Sequence, residues 1–199
     1  MTRSPAFDDD GWLRGPSVER IASPNADERP DGEAPTLIVV HSISLPPGEF
    51  GGRAIDALFT NTLDHDAHPY FAQLRPLRVS SHFLVRRDGA LVQFVGCARR
   101  AWHAGVSSFD GRSRCNDFSI GIELEGDDTG PFADAQYDTL LPLVVALVDR
   151  YPIAALAGHS DIAPGRKTDP GPGFDWSRVG CALSARPSRD ASRPPIRMP

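Results

Sequence analysis

The stretch PTLIVVHSISLPPGEFGG, residues 35–52, decides how the rest of the chain is read. Four contiguous apolar residues, Leu37–Val40, lead straight into His41, and a loop of Ser, Pro and Gly follows. A short, branched apolar run predicts a strand buried on both faces, and therefore a sheet covered by helices. IAALAGHS, residues 153–160, repeats the design, with an apolar strand running into His159 and Ser160. In open sheets, ligands gather beyond the strand ends, where rigid elements aim side chains into a shared crevice.

Around these two strands the periodicity alternates. RAIDALFTN (53–61) and DAHPYFAQL (66–74) read as short helices, the second with Pro69 near its start. SSHFLVRRDGALVQFV (80–95) reads as a hairpin turning at Asp88-Gly89. DFSIGIELEG (117–126) reads as a strand with Ile120, Ile122 and Leu124 on one face and Gly121, Glu123 and Glu125 on the other. DAQYDTLLPLVVALVDRYP (134–152) carries an apolar helical stripe of Tyr137, Leu140, Leu141, Val144, Val145 and Val148. Asp134 is placed to cap this helix, and Pro142 is expected to kink it or delay its start. DWSRVGCAL (175–183) closes the fold as a helix. The expectation is an α/β (α+β) domain with one central mixed sheet flanked by helices. Its bounds are residues 35–184, after a polar, Pro-punctuated lead-in (1–34) lying over the domain and before a Pro- and Arg-rich tail (185–199) expected to be disordered.

The net charge of -5 and the lack of a basic run argue against nucleic acid as a partner. The three cysteines are unclustered, which fits a reducing compartment rather than a disulfide framework. No apolar run approaches about 18 residues, and MTRSPAFDDDGWLRG lacks the apolar segment of a secretory signal. A cytoplasmic protein without membrane contact is expected.

Of the six histidines, His65 and His68 read as solvent-facing, and His82, alternating with apolar neighbours, as a buried structural residue. His41 and His159 close strands, and Asp169 follows in GRKTDPGPGFDW, on a loop stiffened by Pro170 and Pro172. Two imidazoles and a carboxylate from separate elements suit a catalytic zinc site with an open fourth position. The spacing forms no recognised metal motif, so hydrogen-bonded core histidines stay open as the alternative. Glu123 is either a proton acceptor beside such a site or, with Glu125, the solvated face of an edge strand. Lys167 is either an oxyanion partner or a surface charge. Asp161 is placed to cap the turn after His159.

Four stretches then carry a resemblance: VVHSISLPPGEFGG (39–52), HPYFAQLRPLRVSSHFLVRRDG (68–89), RAWHAGVSSFDGRSRCNDFSIGIELEG (100–126) and GHSDIAPGRKTDPGPGFDW (158–176). Together, and over Gly11 to Arg178, the chain resembles the zinc-dependent N-acetylmuramoyl-L-alanine amidases. That family shares its fold with peptidoglycan-recognition proteins and phage T7 lysozyme. Within the family the likeness is to the cytoplasmic enzymes that act on 1,6-anhydro-muropeptides in cell-wall recycling and so keep a β-lactamase inducer scarce. The resemblance implies one zinc on His41, His159 and Asp169, a catalytic Glu123 rather than Glu125, and a transition-state Lys167. It implies that Arg78 and Arg114 hold stem-peptide carboxylates. Trp102 lines the cleft or packs in the core, and His103 is a structural hydrogen-bonding residue. The implied partner is a small muropeptide, bound by a monomer. Two positions depart from the family: Ser42 stands where an asparagine is usual, shortening a donor to the peptide backbone, and Gly165 replaces an acidic residue. A muropeptide-binding module without activity is the rival implied by the same fold.

Overall fold

A computed structural model describes residues 6–15, 17–186 and 194–199. Its centre is a six-stranded sheet of β1 (Val18–Arg20), β2 (Leu37–Ile43), β3 (Phe83–Val85), β4 (Leu91–Gln93), β5 (Ser119–Glu125) and β6 (Ala155–Gly158). The spatial order is β6-β2-β5-β3-β4-β1. The first four strands in that order run parallel, β4 turns back on β3, and β1 runs parallel to β4. The expected mixed sheet is therefore present, with the hairpin of residues 80–95 on one side of it.

Side chains alternate across the sheet because strand period is two. Ile38, Val40, Ile120, Ile122, Leu124 and Leu156 join one apolar cluster with α2 (Asp134–Arg150) and α4 (Trp176–Ala185). The opposite face carries Leu37, Val39, Ala155 and Ala157 against Ala104, Phe118 and Ile162. Leu84 and Val92 meet α1 (Ala54–Phe59) on the same side. The buried Arg86 guanidinium grips both Asp56 oxygens at 2.7 and 2.6 Å, tying α1 to the hairpin strand.

Several expectations are corrected. The stretch 66–74 forms a 3-10 turn over Pro69–Leu74 rather than an α-helix, with His68 Nδ1 accepting from the Tyr70 N–H. Ala133, not Asp134, occupies the cap position of α2. Gln136 Oε1 accepts the Ala133 N–H there, and Asp134 pairs with Arg178. Pro142 neither ends α2 nor delays its start. It is exposed together with Asp138, so water can reach the carbonyl that its missing N–H leaves unpaired. On the stripe, Leu143 and Leu147 are buried, whereas Leu141 and Val145 are half-buried.

The lead-in does more than lie over the domain. Residues 18–20 form the sheet's outer strand, and Arg29 is buried with its guanidinium donating to the carbonyls of Cys97, Asn116, Asp117 and Ser119. Burial lowers the Arg29 pKa to about 10. Of the tail, residues 187–193 lie outside the described residues. Residues 194–199 lie against the domain. The Leu156 N–H donates to the Arg197 carbonyl at 2.8 Å, and the Arg197 N–H to the Ala154 carbonyl at 3.1 Å, along the edge of β6. Among the described residues no helix is long and apolar enough to cross a membrane.

Candidate metal centre and active site

Strand register assembles the site. His41 lies directly across from Glu123 on the parallel neighbour β5, and Gly158 across from Val40 on β6, so His159 emerges beside His41. Parallel strands in register present paired residues to the same face. His159 opens a single helical turn, α3 (His159–Ile162), whose cap position is held by Gly158 rather than Asp161; Asp161 lies inside the turn and its Oδ2 accepts the Gly158 N–H at 2.6 Å. Asp169 returns to the site because its carbonyl accepts the Ser160 N–H at 2.9 Å.

Three donor atoms converge there. His41 Nδ1 is 2.9 Å from His159 Nδ1, and Asp169 Oδ2 lies 3.2 and 3.1 Å from the two nitrogens. His159 Nε2 faces the Ala104 carbonyl at 3.2 Å, which can only accept; the ring proton therefore sits on Nε2 and Nδ1 presents a lone pair inward. Burial lowers the His41 pKa to about 4, so that imidazole is neutral at pH 7. Two imidazole nitrogens and a carboxylate oxygen that turn lone pairs toward one point repel one another unless a cation lies among them. Zinc bonds of about 2.0–2.1 Å in a tetrahedral arrangement set neighbouring donors about 3.3 Å apart. The trio fits such an ion.

The two glutamates of β5 separate in role. Both are buried, because β5 is a central strand; the solvated-edge alternative is excluded. Glu125 is fully engaged, with Oε1 accepting the Gly51 N–H at 2.7 Å and Oε2 the Arg87 N–H at 3.0 Å. Glu123 Oε2 is buried with no protein partner. Burial first, then the neighbouring Asp169 charge, raises the Glu123 pKa well above its ordinary value, with Lys167 opposing.

A cavity of about 210 Å³ opens over this cluster. Glu123, Lys167 and the three donors form its polar wall, and Leu58, Phe59, Leu77 and Val79 its apolar wall. A second opening of about 430 Å³ shares Ser42, Ile43, Lys167 and Asp169 with it, so the two form one cleft. Ser42 and Lys167 thus lie in the cleft, while Arg78, Trp102 and Arg114 line neither opening. Arg78 is exposed at the rim and donates to the Arg75 and Leu77 carbonyls. Arg114, at positive φ, pairs with Asp117 at 3.2 Å. Trp102 is half-buried, its Nε1 donating to Asp27 at 3.1 Å. Gly165 takes a φ of +74° with open space around it, which suits glycine.

The matches to known proteins agree with this geometry. The family model described as N-acetylmuramoyl-L-alanine amidase matches residues 31–172. The chain belongs to that family. It is 62% identical over 176 residues to the 1,6-anhydro-N-acetylmuramyl-L-alanine amidase AmpD of Escherichia coli, covering 87% of this chain and 95% of that one. The AmpD of Haemophilus influenzae is 50% identical over 162 residues, covering 80% and 88%. A crystal structure of a selenomethionine derivative of AmpD superposes with a TM-score of 0.85 at 60% identity, over 89% of this chain and 98% of that one. Escherichia coli AmiD, solved with anhydro-N-acetylmuramic acid-L-Ala-D-γ-Glu-L-Lys, superposes at 0.55 and 29% identity, covering 88% and 65%. As in these amidases, the fold is a mixed sheet with helices on its faces.

Two groups that hold the site were not legible from sequence. Arg166 Nη2 donates to the Ala104 and Val106 carbonyls at 2.9 and 2.6 Å, fastening the loop that faces His159. Glu125 ties the loop after β2 to the hairpin. Both act through backbone atoms far away in the chain, for which no sequence signal exists.

Proposed function

We propose that the chain is a zinc-dependent amidase that cleaves the amide between the lactyl group of 1,6-anhydro-N-acetylmuramic acid and the L-alanine of a stem peptide. The observation that carries this reading is the meeting, at one end of the sheet, of three convergent donor atoms and a buried carboxyl oxygen without a partner. The names of its AmpD relatives supply the substrate class.

His41, His159 and Asp169 would hold the zinc, which when bound supplies a water acidified to a pKa of about 7 and a positive charge toward the carbonyl. Glu123 takes the proton of the attacking water at Oε2, the buried oxygen without a protein partner, and returns it to the departing alanine nitrogen. Lys167, exposed on the cleft wall, places its ammonium where the carbonyl oxygen becomes negative. The apolar wall excludes water and lies against the lactyl and sugar carbons. Ser42 donates to the peptide backbone in the cleft, Arg78 receives a peptide carboxylate at the rim, Arg114, exposed outside both openings, receives one on a peptide that extends beyond them, and Trp102 supports that side.

His41, Glu123, His159, Lys167 and Asp169 supply every group the proposed reaction needs, so a monomer suffices as the working unit. Cys97, Cys115 and Cys181 are free thiols, which supports a reducing compartment, the cytoplasm. There the activity would recycle wall fragments and keep inducers of β-lactamase scarce.

The test is to incubate the protein with anhydro-muramyl-tripeptide, with chelator and with zinc restored, following peptide release by mass spectrometry. Cleavage between lactyl and alanine that chelator abolishes and zinc restores is the expected result. Binding without cleavage by zinc-loaded protein refutes the proposal in favour of a recognition module.

A further inference from the structure

His41 Nε2 lies 2.9 Å from His103 Nδ1, and His103 Nε2 lies 3.1 Å from Ser119 Oγ. Ser119 Oγ in turn lies 2.6 Å from the Cys115 carbonyl. The far end fixes every proton in this file. A carbonyl only accepts, so the Ser119 hydroxyl donates to it and must accept from His103. His103 therefore carries its proton on Nε2 and offers a bare Nδ1. His41 then donates its Nε2–H there, and its own Nδ1 is left as a lone pair facing His159 and Asp169.

The placement of His103 is over-determined. The backbone N–H groups of His103 and Ala104 both donate to Asn116 Oδ1, at 3.1 and 2.8 Å. The His103 ring stands on Gly121, where an added Cβ would lie 2.5 Å from the ring. Its neighbour Ala104 supplies the carbonyl that sets the tautomer of His159. Two consecutive residues thus orient both histidines of the trio.

We propose that His103 is a positioning residue for the metal centre, holding His41 in the tautomer and orientation that presents Nδ1 to the ion. This rests on the zinc reading above. Partners of this kind typically contribute ten- to a hundredfold to metal affinity.

The experiment measures zinc affinity by competition with a chromophoric chelator in the full chain and its variants, with the melting of each zinc-free form recorded separately. His103→Leu is expected to bind zinc about ten- to a hundredfold more weakly than wild type. His103→Asn, whose Oδ1 stands near the lost Nδ1, regains part of that loss, which a purely structural role would not predict. Wild type that takes up no zinc sinks the metal reading itself. Wild type that binds zinc, with His103→Leu within twofold of it or His103→Asn no tighter than His103→Leu, sinks only the role of His103. If His103→Leu does not fold, Ser119→Ala decides: weaker zinc binding by a folded variant supports the file, and unchanged affinity overturns it.

Discussion

Replacing Glu123 with Gln separates chemistry from stability in one variant. The side chain keeps its shape but loses the ability to accept and return a proton. General acid–base catalysis contributes about 10²–10⁴-fold, so turnover should fall by that factor, roughly 3–5 kcal/mol of barrier. Stability should move the other way. Glu123 Oε2 is buried without a partner, and burial raises the carboxyl pKa well above its ordinary 4.5. A group whose pKa is raised by folding stabilises fully below its unfolded value and loses that contribution as pH rises through its folded value. The zinc-free wild type should therefore lose stability on this account as pH climbs from about 4.5, while Glu123→Gln should not. The Gln amide lies in the same place but cannot ionise, so above about pH 4.5 the zinc-free variant should gain on wild type, by up to about 1.4 kcal/mol for each unit by which folding raises the carboxyl pKa. Urea unfolding of the zinc-free forms across pH gives the stability term, and peptide release by zinc-loaded protein gives the rate. A variant that keeps more than a tenth of wild-type turnover would remove Glu123 from the mechanism. Parallel pH profiles for variant and wild type would refute the burial argument.

Lys167→Ala should retain zinc but lose at least about a hundredfold in turnover, since removing one oxyanion donor costs about 3–4 kcal/mol; unchanged turnover with zinc bound would clear Lys167 of the chemistry. Glu125→Gln should behave as a stability variant. One of its two backbone N–H partners, Gly51 or Arg87, would then face an NH₂ group, at a cost of about 1–3 kcal/mol with zinc affinity preserved. Denaturation and zinc titration of the same preparation check both halves of that expectation.

The sequence by itself determined the local elements of this protein. Contiguous apolar runs at Leu37–Val40 and before His159 marked buried strands, and the period of residues 134–152 marked the long helix, because such patterns repeat over a few residues. It also nominated the chemistry-bearing residue types at strand ends, and motif resemblance singled out Glu123 from Glu125. What it could not contain is distance. His41 and His159 are 118 positions apart, and they meet because the parallel register of β2 with β5 and β6 aligns His41 with Glu123 and Val40 with Gly158. The same register makes β5 central, which buries both glutamates. Only then do backbone donors from Gly51 and Arg87 occupy Glu125 and leave Glu123 open to the cleft. Pro142 and the tail show the converse. The local rule for Pro142 predicted a kinked or delayed helix, but α2 starts before it and exposure lets water reach the carbonyl opposite Pro142; at residues 194–199 the edge of β6 offers Arg197 backbone partners that no local pattern announces. Pairing across a sheet is decided by which edges and faces tertiary packing leaves available, and that information resides in no short stretch of chain.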